Sequence, residues 1–149
     1  MINISYKIIF DDEFSTKDIP YEYDDTIYGD IIIKINNSTY YHEETVLDHW
    51  FNEFIQMIKE IKNNEIYSVK EIENWWDVLI FKKNKQKLFT SYVKDKKIIW
   101  QEEISFIDFK KEVVRVVNNF LLDLCEFNQE FKKSTVVSKM TSRIAAIEN

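Results

Sequence analysis

The sequence predicts an α+β fold: one antiparallel sheet of about five to seven strands with two long amphipathic helices packed on one face. Three observations predict it. Several short runs alternate apolar and polar residues at period two, two longer runs repeat at helical period, and the order along the chain is strands, helix, strands, helix. A chain of 149 residues that is 45% hydrophobic and 31% charged is globular and of single-domain size.

Ile2, Ile4, Tyr6, Ile8 and Phe10 fall at strict period two, which predicts a half-buried strand. The acidic stretch that follows holds the only proline, Pro20, and reads as a long loop. Gly29 precedes a second strand, Asp30–Ile35. Asn36-Asn37 is a turn pair, because Asn tolerates positive φ, and Ser38–His42 returns as the other arm of a hairpin. Thr45, with Asp48 three residues on, is the expected N-cap of the first helix. Its stripe is Val46, Leu47, Trp50, Phe51, Phe54, Ile55, Ile58 and Ile61, ended by Asn63-Asn64. A meander follows: a candidate strand at Ile66–Ile72, then Trp75–Phe81, a turn at Lys82–Gln86, Lys87–Lys94, a turn at Asp95-Lys96, and Lys97–Ile104. Trp76, Val78 and Ile80 share one face of their strand, and Trp75, Asp77, Leu79 and Phe81 the other, so this strand is expected to be central. Ser105 caps the second helix, with its stripe at Phe109, Val113, Val116, Val117, Phe120, Leu121 and Leu124. Residues 1–133 therefore read as a single α+β domain. Residues 134–149 read as a C-terminal tail, either a short docking helix through Val136, Val137, Met140, Ile144 and Ile147 or a frayed end.

Composition bounds the function. One glycine rules against Gly-rich phosphate loops and nucleophile elbows. The single cysteine, Cys125, has no internal disulfide partner, and no apolar run reaches the length of a membrane span. The opening residues lack a basic-plus-apolar signal. These features predict a cytoplasmic protein with no membrane partner, and the Ile, Lys and Asn bias suggests an AT-rich bacterial genome. The net charge of −6 argues against nucleic acid. Charge is uneven: Asp11 to Asp30 holds eight acids against Lys17, and Lys82 to Lys97 holds seven lysines against Asp95.

The chemistry-bearing residues are few. His49 and Glu53 stand at i and i+4 beyond His42, Glu43 and Glu44. The solvated face of a helix is the simpler reading, and no metal is expected. Cys125 reads as an inert thiol on the second helix. No catalytic residue and no cofactor are predicted, and the protein is expected not to be an enzyme. The acidic strip is either a solvated charge run or a docking surface for a basic partner. In the docking reading, the candidate partner-binding residues are Asp18, Tyr21, Glu22, Tyr23, Asp24, Asp25 and Tyr28, carboxylates interleaved with rings that have polar tips. The lysine-rich meander, with Phe89, Tyr92 and Trp100, reads as strand ends and turns guarded against edge pairing, ahead of nucleic-acid binding.

Opening strands, the Tyr28-Gly29-Asp30-Ile31-Ile32-Ile33-Lys34-Ile35 strand with its Asn36-Asn37 turn, a Trp-bearing first helix, a meander ending at Trp100 and a final helix follow one another over residues 25–130. In layout and composition this resembles the small immunity proteins of bacterial polymorphic-toxin systems. The resemblance implies a small, intracellular, non-enzymatic protein that neutralises a cognate protein toxin by covering its active site or substrate surface. It implies no residue roles. Two other classes stay open. One is a small-molecule binder or cryptic enzyme using a cavity between sheet and helices, sensitive to His42 or His49. The other is a non-catalytic subunit of a larger assembly, which predicts an exposed apolar patch.

Overall fold

The structure, a computed structural model, describes residues 1–10, 26–72 and 76–148. It is α+β, but the strands form two sheets where one was expected. The first is antiparallel, ordered β1 (Ile2–Ile8), β2 (Tyr28–Ile35), β3 (Ser38–Val46). Helix α1 (Leu47–Glu60) follows. The second sheet is also antiparallel and runs β4 (Ile66–Lys70), β5 (Asp77–Asn84), β6 (Lys87–Lys94), β7 (Lys97–Ser105). The chain closes with α2 (Phe106–Phe127), a 3₁₀ helix (Gln129–Lys133) and α3 (Thr135–Glu148). The described residues thus form three α-helices, the two long ones expected and a third where the sequence left a docking helix or a frayed end open.

Alternation in β1 to β3 sets one inner face, where Ile4, Ile31, Ile33, Ile35 and Tyr40 are buried. The second sheet buries Val69, Leu79, Phe81, Leu88 and Ile104. Both inner faces close on α1 and α2. From α1, Phe51 meets Tyr6 of β1, whereas Phe54 meets Phe81 of β5. Helix α3 packs on α1 and α2 and buries Val137, Met140, Ile144 and Ile147. Ser134, fully buried, starts it by accepting the Val137 N–H through its hydroxyl oxygen at 3.3 Å. No described helix is long and apolar enough to cross a membrane.

Two local expectations are corrected. Thr45 does not cap α1. It is a buried residue of β3, and its Oγ1 accepts the Trp50 indole N–H at 2.7 Å, while Val46 takes the cap position without a side-chain bond. The polar stretch from Lys82 continues β5 as far as Asn84, and Lys85 turns the chain at φ 57°. Ser105 caps α2 as its sequence predicts, accepting from the Asp108 N–H at 3.3 Å. Gly29 sits where β2 crosses β1 and the first turn of α1. A Cβ there would lie 2.2 Å from the Lys7 carbonyl oxygen and 2.5 Å from Leu47 Cδ1. What this position requires of glycine is space, since no described glycine has positive φ.

Side chains, not ladder bonds, join the sheets. Asn36 and Ser38 in the β2–β3 turn region donate to the two Glu102 carboxylate oxygens of β7 at 2.9 and 3.0 Å. The Trp100 indole N–H reaches the Thr39 carbonyl at 3.1 Å. On the far edge of the first sheet, α2 covers β1. The Ile4 N–H donates to Glu112 at 2.6 Å, and Arg115 donates to the Ile4 carbonyl at 2.9 Å.

Candidate interaction surface

The outer face of the second sheet is built from alternate residues of four strands. Its rows, read from β4 to β7, are Ile66, Lys82, Phe89, Glu103; then Ser68, Ile80, Ser91, Gln101; then Lys70, Val78, Val93, Ile98. A bulge opposite Tyr92 and Val93 leaves Ile99 of β7 unpaired in the ladder and exposed. The aliphatic groups are adjacent across strands and line a shallow trough of about 540 Å³. Ile66 is 65% exposed and Ile98 61% exposed. Trp76, the residue before β5, is 65% exposed, and its carbonyl is held by the Asp95 N–H at 2.9 Å. Val78, Ile80 and Val93 along the middle of the face are half-buried.

Its charges are Lys70, Lys82 and Lys87 against Glu103, and Lys87 pairs with Glu103 at 2.8 Å. The rim is therefore net positive in a chain whose net charge is −6. Lys94, Lys96 and Lys97 gather at the adjoining turn, where Asp95 and Lys96 take positive φ.

Of the residues the acidic strip nominates, Asp18, Tyr21, Glu22, Tyr23, Asp24 and Asp25 lie outside the described residues, as does Trp75. Tyr28 opens β2 opposite Val46 and is exposed. The aliphatic trough was missed by sequence reasoning. Its signal was the two-sided apolarity of β5, with Leu79 and Phe81 on one face and Val78 and Ile80 on the other. Strand β5 is interior to its sheet, as expected. No protein family, curated protein or solved structure matches the chain.

The histidines do different work. His49 Nε2 lies 2.8 Å from the Lys70 carbonyl, fixing the end of β4 to α1, and Glu53 accepts the Tyr67 hydroxyl at 3.1 Å. His42 faces the nearly buried Glu71, Nε2 to Oε2 3.8 Å, and stacks edge-on to Tyr40. Tyr40 is buried against Trp50 and Tyr92, and Tyr92 donates to Asp77 at 2.9 Å. Burial, reinforced by the negative charge of Asp77, pushes the Tyr40 phenol far above its ordinary range. Burial and the bond to Asp77 push Tyr92 up to about 12. Both phenols therefore keep their protons into alkaline pH, beyond the range in which an exposed tyrosine ionises. Burial also raises the Cys125 thiol, which disfavours the thiolate a nucleophile needs.

Proposed function

We propose that the protein is a protein-binding inhibitor of the immunity type, acting in the cytoplasm by direct binding of a cognate protein toxin and not by catalysis. The observation that carries protein docking is the exposed apolar face of β4–β7, since contiguous exposed aliphatic and aromatic side chains with a polar rim are typical of docking sites. A subunit of a larger assembly would use the same face, and the toxicity of the captured partner is what separates the two. Trp76 and Phe89 supply the large rings that dominate such contacts. In this reading the acidic residues Asp18, Glu22, Asp24 and Asp25, with Tyr21, Tyr23 and Tyr28, form a second contact.

The test is affinity capture of the tagged chain from its native lysate, followed by co-expression of whatever is captured. The expected result is one stoichiometric partner whose expression alone arrests growth and whose toxicity disappears when this chain is co-expressed. A captured partner that is harmless by itself, or a chain that emerges alone, overturns the reading. Charge reversal at Asp24 and Asp25 is expected to weaken the complex. Unchanged affinity removes the acidic strip from the contact.

A further inference from the structure

We infer that the outer face of β4–β7 recognises an acidic, apolar segment of a partner protein. This deepens the proposal above and rests on it in one respect, that the face docks protein; whether the docked protein is a toxin does not enter. The apolar half of the argument is the trough through Ile66, Ile80, Phe89, Val93 and Ile98, which offers side chains of a partner a place to leave water. The electrostatic half is the lysine surplus. Lys87 is paired with Glu103, while Lys82 stands within the trough between Ile66 and Phe89, and Lys70 flanks Val78. A carboxylate between two apolar side chains of a partner would meet Lys82 while its neighbours enter the trough on either side.

The same charges select against other occupants. A second copy docked face to face would oppose Lys70 and Lys82 to their own equivalents, because a two-fold contact repeats one patch on both sides. Nucleic acid stacks its bases on aromatic platforms. This face is mainly aliphatic, with Phe89 and the flanking Trp76 as its rings. The chain as a whole repels an acidic partner at long range, so attraction here is local, acting within a Debye length of about 8 Å at physiological salt.

The experiment follows the isoleucine methyl resonances of the full chain on titration with three short synthetic peptides. One spaces Leu and Glu with Ser, one replaces Glu with Lys, and one replaces Leu with Ser. The expected result is that only the Leu/Glu peptide shifts Ile66, Ile80 and Ile98, and that its affinity falls with added salt. The exposed double variant Lys70→Glu/Lys82→Glu is expected to bind it about tenfold more weakly, roughly threefold for each reversed rim charge, with an unchanged thermal transition. Equal binding of the Lys peptide, no shift at those methyls, or tighter binding of oligothymidylate at the same methyls overturns the inference. The two readings fail separately. Peptide binding without a toxin partner sinks only the inhibitor proposal. A toxin captured equally well by the double variant, with no peptide binding, sinks only this one.

Discussion

Asn3, Ser5 and Lys7 of β1, with Asp30 and Lys34 of β2 and Thr39 and Glu43 of β3, make the outer face of the first sheet polar, interrupted by Ile32 and Tyr41. The corresponding face of the second sheet carries Ile66, Val78, Ile80, Phe89, Val93 and Ile98. Both sheets bury an apolar inner face on the same two helices. The two sheets thus differ in their outer faces, polar in one and apolar in the other, and the proposed docking role accounts for the second.

The largest test of this contrast concerns what the sheets share. Phe51→Ala and Phe54→Ala remove neighbouring rings of α1, one packed toward each sheet. Each is expected to lower stability by about 3–5 kcal/mol, measured by urea unfolding. A much smaller loss for either would mean that its sheet does not depend on α1. Gly29→Ala acts mainly on the first sheet, forcing a methyl against the Lys7 carbonyl and against Leu47 at the start of α1. The expected loss is about 1–3 kcal/mol, with hydrogen exchange quickening in β1 and β2 before β5 and β6.

Alkaline pH sharpens the comparison from the tyrosines. Tyr67 is pushed up to about 12 by burial and the nearby Glu53 charge, as Tyr92 is by burial and Asp77. Unfolded tyrosine titrates near 10. Below that pH both states keep the proton and this contribution is constant. Above it the unfolded chain releases protons first, so stability is expected to fall between about pH 10 and 12. Urea midpoints across that range check it, and Tyr92→Phe should make the fall shallower. The smallest effect belongs to the outer face. Ile66→Ser and Ile98→Ser are expected to stay within about 0.5 kcal/mol of the parent. A larger loss by thermal melting would make this face structural.

Much of the fold was legible. The stripes of α1 and α2, the alternation of β1, the Asn36-Asn37 turn and the limits of β6 all follow from local periodicity. The division into two sheets does not, because period two tells which way a side chain points and not which strand lies beside it. Thr45 looked like a helix cap because the pattern of cap and acid was present. Burial beneath Trp50 decided otherwise, since the indole N–H needed an acceptor in the core. The candidate surface was less legible than the fold. Charge density along the chain drew attention to residues 11–28, whereas the aliphatic face takes a few alternate residues from each of four strands and becomes a patch only when the registers are set.

Within each sheet every strand pairs with its neighbour in sequence, yet the outer edge of β1 is closed by Glu112 and Arg115, more than a hundred residues later. During synthesis, a chain grown only through α1 lacks the two partners of the Ile4 N–H and C=O, which are supplied by α2. That interval is the period in which the nascent chain exposes a strand edge to other chains. Truncations ending before α2 are therefore expected to aggregate through β1, which makes the second helix a late-arriving guard as well as part of the core.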